Sequence, residues 1–278
     1  MIPMQEAIQI SQNKKIQQQI TDDLGRTVRY ESPPRRIISL CPSITETLLE
    51  LGMDGRVVGR TRYCIHPANK LMGVQRIGGT KKLQFDEIDA LEPDLIIAER
   101  EENNREDIER LEKKYPVYVA DVVDFSSALR MLGRLGALCG EPLAAEQLNE
   151  KILLKFNDLE KLKGLRRCAY LIWRKPWMAA GQGTYINSIL KKCGLDNYFA
   201  DRPSRYPVLS VQDLQHSEID LILLSSEPYP FDERHMDEIR VLQPRAEILL
   251  VDGEMFSWYG ARMLRAADYL NELTESLA

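Results

Sequence analysis

From Gly140 to Leu165 the chain reads GEPLAAEQLNEKILLKFNDLEKLKGL, the longest helical pattern it contains. Pro142 suits a first helical turn, where its missing N–H costs nothing. Leu148, Ile152, Phe156 and Leu159 follow at intervals of four, four and three and make one apolar face. Glu146, Glu150, Lys151, Lys155, Asp158 and Lys161 fall largely off that stripe, and Gly164 supplies a stop. A helix of this length runs about 30–35 Å at roughly 1.5 Å per residue, the width of a small domain. Because αβ patterns lie on both sides, the stretch is expected to be a rigid strut between two lobes. The alternative is an ordinary surface helix inside one domain.

The 278 residues, 44% of them hydrophobic, suffice for one large domain or two medium ones. A net charge of −5 gives no electrostatic case for nucleic acid or an anionic membrane. No run approaches the roughly 18–20 apolar residues of a membrane span, so no membrane insertion is expected. The first twenty residues, MIPMQEAIQISQNKKIQQQI, lack the apolar core of an export signal, and the expectation is a cytoplasmic protein; an export signal on a different native start would make it periplasmic or membrane-anchored. Cys41, Cys64, Cys139, Cys168 and Cys193 are odd in number and scattered. That argues against a disulfide framework or a structural zinc site.

Residues 1–34 are expected to be a polar lead-in, frayed or weakly helical to Gln19, then a small hairpin turning at Asp23-Leu24-Gly25. Residues 35–139 make a first α/β lobe. Its buried strands are Ile37–Leu40, Val57–Gly59, Leu95–Ala98 and Val117–Val119, and they alternate with helices. Ser43 and Glu46 have capping-box spacing at the first helix. The loop RTRYCIHPANKLMGVQRIGGT carries its own Tyr, Cys and His, at a length more usual for ligand-lining than for idle loops. After the connecting helix at 140–165, residues 166–278 begin a second series with strand Cys168–Trp173. Asp220-Leu221-Ile222-Leu223 repeats Asp94-Leu95-Ile96-Ile97 at an offset of 126 residues, which favours two similarly built lobes. The fold class expected is therefore α/β, with two lobes, each a parallel sheet flanked by helices, connected by one long helix.

In open parallel sheets, ligands gather outside the carboxyl ends of the strands. The residues predicted there include Tyr63, Cys64, His66, Trp177, Tyr185, Phe256, Trp258, Tyr259 and Arg262. Aromatic side chains in such places suit a large, flat or amphipathic ligand. No nucleophile elbow, Walker loop, dinucleotide fingerprint or HExxH motif occurs. Cys64 and His66, two residues apart, are the one candidate nucleophile pair, weighed against an inert cysteine and a surface imidazole. His66 is alternatively an axial ligand to a haem or corrin metal.

The stretches DDLGRTVRYESPPRRIISLCPSITETLLELG, GGTKKLQFDEIDALEPDLIIAE and VDGEMFSWYGARMLRAADYL together resemble the substrate-binding proteins of ABC importers in which one long helix joins two lobes. This is the cobalamin- and iron-siderophore-binding group, and its vitamin B12 receptors are the nearest in pattern. The resemblance covers Asp22 to the C-terminus. It implies a non-enzymatic, monomeric receptor without a cofactor, whose ligand is cobalamin, haem or a ferric siderophore sandwiched by aromatic residues between the lobes. Carried over by position, Tyr63, Trp177 and the Phe256–Tyr259 loop match ligand-lining places. The resemblance also implies an ABC permease as partner, docked through one glutamate on each lobe. Glu106 falls near the first position, and Glu227 or Glu233 near the second. Two other readings stay open here: a cytosolic cobalamin or metal-chelate carrier or sensor without a permease, and an α/β enzyme using Cys64 and His66.

Overall fold

The apolar runs that mark buried strands assemble into two separate sheets. The computed structural model describes residues 16–278, which divide into two compact units. The first comprises the chain up to Asp121 with Met131–Glu146, and the second comprises Val122–Arg130 with Gln147–Ala278.

The first unit begins with an antiparallel hairpin of β1 (Ile16–Thr21) and β2 (Thr27–Ser32). Residues 16–19 are thus strand, not the expected frayed or helical lead-in; the rest of that lead-in lies outside the described residues. The Asp22 carboxylate closes the turn by accepting the N–H groups of Leu24 at 3.0 Å and Arg26 at 2.8 Å. Val28 and Tyr30 alternate inward, which fixes the register.

Beyond it, β3 (Ile37–Ser39), β4 (Val57–Arg60), β5 (Gln75–Arg76), β8 (Leu95–Glu99) and β9 (Val117–Ala120) form a parallel sheet in the order β5-β4-β3-β8-β9. Strands β3, β8 and β9 are buried along their whole length, as unbroken apolar runs between helical layers require. The long 60–80 loop is partly structured. It contains β5 and β6 (Gly78–Gly79), and β6 pairs antiparallel with β7 (Lys82–Leu83) just beyond it. Helices α1 (Pro42–Glu50), α2 (Phe85–Ala90) and α3 (Arg105–Leu111) connect the strands. The capping box expected at Ser43 does not form. Pro42 opens α1 directly behind Cys41, which makes no side-chain cap, so Ser43 already lies inside the helix.

Helices α4 (Phe125–Cys139) and α5 (Pro142–Asn157) each contribute to both units, the division falling after Arg130 and after Glu146. The connecting helix α5 is shorter than the sequence pattern suggests, about 24 Å at roughly 1.5 Å per residue. It stops at Asn157 because later N–H groups find partners elsewhere: Glu160 N donates to Asn271 Oδ1 and Leu162 N to Cys193 O, both at 3.0 Å. Its stripe is buried as the periodicity requires, with Ile152 fully covered and Phe156 against Phe125, ring centroids 4.8 Å apart. The first turn approaches α4 closely. A Cβ at Gly136 would lie 2.3 Å from Ala145 Cβ, so only glycine fits.

In the second unit β10 (Arg166–Trp173) pairs in parallel with β14 (Leu221–Ser225), and β14 with β15 (Glu247–Val251). A short β12 (Leu195–Asn197) also joins β10 in parallel. This sheet is not wholly parallel, since β11 (Trp177–Ala179) returns antiparallel to β10 and pairs with β13 (Val208–Leu209). Helices α6 (Tyr185–Lys192), α7 (Val211–Leu214), α8 (Glu233–Leu242), α9 (Glu254–Ser257) and α10 (Met263–Leu277) complete it. The repeated segment has equivalent places in the two sheets. Strands β8 and β14 start 126 residues apart, and each lies between two parallel neighbours.

Candidate functional site

The candidate residues form three groups, one in the first unit and two in the second. In the first unit Tyr63 follows β4 and is 47% exposed. Its hydroxyl accepts from Arg62 Nη2 at 2.7 Å, and the Arg62 guanidinium carbon lies 4.8 Å from the ring centroid. Gly79 makes room for the ring, since a Cβ there would meet Tyr63 Cε2 at 3.3 Å. His66 is half-buried on the same loop.

The surroundings of Cys64 do not suit a nucleophile. The residue is buried at 1% exposure, with Thr45 Oγ1 3.0 Å and Thr61 Oγ1 3.2 Å from its sulfur. Burial pushes its thiol above the ordinary range, away from the thiolate that nucleophilic attack needs. The other four cysteines are likewise buried, and none of the five forms a disulfide.

The second group centres on Trp177, at the turn from β10 into β11. Its ring lies parallel to that of Phe231, 2° between planes and 6.1 Å between centroids. Tyr229 joins Trp173 and Phe231, while His235 Nε2 lies 3.0 Å from the Tyr229 hydroxyl. Arg174 caps Trp177 at 5.7 Å and is held by both carboxylate oxygens of Glu238. Sequence reasoning did not find Trp173, Arg174 or His235. The signal available was the WRKPW turn, in which two tryptophans flank a proline.

The third group surrounds α9. Trp258 donates its indole N–H to Glu227 Oε1 at 2.8 Å, and Ser257 Oγ donates to the same oxygen at 2.7 Å. Arg262 pairs with Glu254 at 3.0 Å and lies over the Trp258 ring at 5.0 Å. Tyr185, the first residue of α6, meets Tyr259 edge-on at 5.7 Å; burial raises its phenol well above the usual range. Trp258, Tyr259 and Arg262 are all buried. Phe256 is a core residue and not a ligand-lining one. The single turn of α9 points it inward, where it is fully covered against Tyr170 at 5.0 Å and Tyr269 at 6.4 Å.

A cavity of about 560 Å³ opens at the carboxyl ends of β14 and β15. Phe231, Leu250 and Val251 line it with Ser226, Glu227, Asp252 and Glu254. Neither Trp177 nor the 258–262 turn lines it. Of the acids named for docking, Glu106 and Glu233 stand exposed in the first turns of α3 and α8. Glu227 is half-buried, with one oxygen turned toward Ser257 and Trp258. Among the described residues no group of His, Cys, Asp and Glu could hold a metal ion, and no helix is long and apolar enough to cross a membrane.

Two α/β units that share helices α4 and α5, with aromatic side chains beyond the carboxyl ends of parallel strands, define the architecture of a solute-binding protein. The family described as "Periplasmic binding protein" matches residues 37–243, and the chain belongs to it. A vitamin B12-binding protein of Pectobacterium carotovorum subsp. carotovorum is 25% identical over 247 residues, covering 85% of this chain and 87% of that protein. The crystal structure of the periplasmic vitamin B12 binding protein of Vibrio cholerae superimposes with a TM-score of 0.70 at 20% identity, over 88% of this chain and 98% of that one. An apo periplasmic heme-binding protein from Roseiflexus sp. RS-1 gives 0.75 at 20% identity, over 87% and 97%. At such identities these two structures speak for the fold. The membership corrects the cytoplasmic expectation: the family and the solved relatives are periplasmic proteins, and the polar character of the first residues does not decide the compartment. These relatives are binding proteins.

Proposed function

We propose that the protein captures a metal-containing macrocycle or chelate, with cobalamin first and haem or a ferric siderophore next, and hands it to an ABC-type permease. The observation that carries this reading is the match to vitamin B12-binding proteins along 85% of the chain. The aromatic groups support it, because a flat face such as that of Tyr63, or in the second unit that of Trp177, suits stacking on a large conjugated ring with little loss of side-chain freedom. The ligand brings its own metal, held by its macrocycle or chelating groups. His66, on the loop beside Tyr63, is the imidazole offered to an open axial position. Glu106 and Glu233, exposed at helix starts, are the acids assigned to docking on basic residues of the permease, ahead of the engaged Glu227.

The test is titration of the apo-protein with cobalamin, cobinamide, haemin and ferric chelates, followed by absorbance and melting temperature. A saturable spectral change and a raised melting temperature with one of them are expected. No response to any at micromolar ligand would overturn the reading.

A further inference from the structure

Arg60 closes β4 and lies directly beside Arg76 of the edge strand β5 in parallel register. Residues paired in this way project from the same face of the sheet, and like charges so placed repel. Arg60 is nevertheless buried, 7% exposed, whereas Arg76 is exposed.

The partners of Arg60 do not balance its charge. Its Nη1 donates to the Cys64 carbonyl at 2.8 Å, which pins the 61–64 turn. Its Nε is buried and has no hydrogen-bond partner. Among the described residues no carboxylate pairs with Arg60 or Arg76; the one charged side chain acting on Arg60 from the neighbouring strand is Arg76 itself. Glu87, the acid at this edge, is taken by Gln75 Nε2 at 3.1 Å. Arg62, two residues on, is turned to Tyr63. A buried guanidinium with an idle N–H and a second guanidinium alongside is costly until an anion supplies the missing acceptor. Burial, with Arg76 adding to it, lowers the affinity of Arg60 for its proton.

We propose that Arg60 and Arg76 form an oxyanion site that takes a single carboxylate or phosphate group. Planar guanidinium groups with several fixed donors match both chemistries. The acid is either a group carried by the solute, which rests on the function proposed above, or a free anion, which does not.

The exposed Arg76→Gln variant tests the site without disturbing the turn that Arg60 holds. Inorganic phosphate alone, at about ten times its dissociation constant, should raise the melting temperature of the wild type by roughly 3 °C or more over chloride of equal ionic strength. It should raise that of Arg76→Gln by less than half as much. Equal increments in the two proteins, or none in either, would overturn the site whether or not any macrocycle binds. The source is then separated with haemin and its dimethyl ester, which lacks free carboxylates. A roughly tenfold loss of haemin affinity in Arg76→Gln, with the ester indifferent to the substitution, assigns the site to an acid group of the solute. Phosphate stabilisation with haemin and ester both indifferent assigns it to a free anion.

Discussion

Arg62 Nη2 donates to the Tyr63 hydroxyl at 2.7 Å, and the same guanidinium covers one face of the ring. The phenol is thereby held half out of the protein by a neighbour in sequence and not by burial in the core. Phe256 is the opposite case, an aromatic residue at a comparable place in the chain that is fully enclosed. Substitution should separate the two. Tyr63→Ala should leave stability within about 0.5 kcal/mol and weaken macrocycle binding about tenfold, or roughly 1.4 kcal/mol. Phe256→Ala should cost about 3–5 kcal/mol of stability, as emptied aromatic core sites do. Urea denaturation beside a ligand titration measures both; a Tyr63→Ala protein that binds like wild type would remove Tyr63 from the site.

Glu227 satisfies two donors from the α9 turn with one oxygen. Glu227→Ala should strand the Trp258 indole N–H in a buried setting at a cost of about 1–3 kcal/mol. Glu227→Gln keeps an acceptor there and should lose less than half of that. Equal losses in the two variants, measured by urea denaturation, would show that the carboxylate charge, and not the acceptor, matters.

Glu99 ends β8 at 3% exposure and accepts the N–H groups of Glu101 and Glu102 at 2.7 and 2.9 Å. Burial raises its carboxyl from 4.5 to about 7; the two N–H donors oppose this, and Glu101 and Glu102 add to it. Because the folded value lies above the unfolded one, the proton favours folding. That contribution is complete below pH 4.5 and is lost as pH rises through about 7. Its full size is on the order of 3 kcal/mol. Glu99→Gln should therefore flatten the fall in melting temperature between pH 5 and 8 and be the more stable protein at pH 8. Parallel profiles for the two proteins would contradict this account.

Gly136 sets two effects against each other. Alanine gains about 1 kcal/mol in helix propensity, but its Cβ would lie 2.3 Å from Ala145 Cβ and 2.9 Å from the Glu141 carbonyl. Overpacking of this kind costs about 1–3 kcal/mol. Gly136→Ala should therefore be destabilised on balance, with a lowered melting temperature. A stabilised variant would mean that α5 yields at its first turn.

Much of this architecture could be recognised from residue patterns alone. The runs Leu95–Ala98 and Leu221–Leu224 are apolar throughout, and such runs bury between helices in parallel sheets, where they were found. The stripe Leu148, Ile152, Phe156 has helical period and is buried. What escaped was set by contacts without a period. Strands β11 and β13 have three and two residues, too few to show alternation. The end of α5 was hidden because polar, helix-favouring residues continue beyond it, while Asn271 and Cys193 capture the backbone instead. Within GEMFSWYG, nothing local distinguishes the inward Phe256 from its aromatic neighbours; one turn of helix does. Arg60 has the sequence of a solvated strand end, and only its register beside Arg76 reveals a buried charge without a counter-ion.

The central claim, that this chain binds one metal macrocycle, is met most directly by tryptophan fluorescence. Trp173 and Trp177 lie near or at the proposed ligand-lining surface, and cobalamin and haemin both absorb in the range where tryptophan emits. Quenching that saturates at one equivalent of either ligand, with a dissociation constant at or below micromolar, is the predicted result. Quenching that rises linearly without saturation, equal to that of free tryptophan in the same solutions, would contradict it.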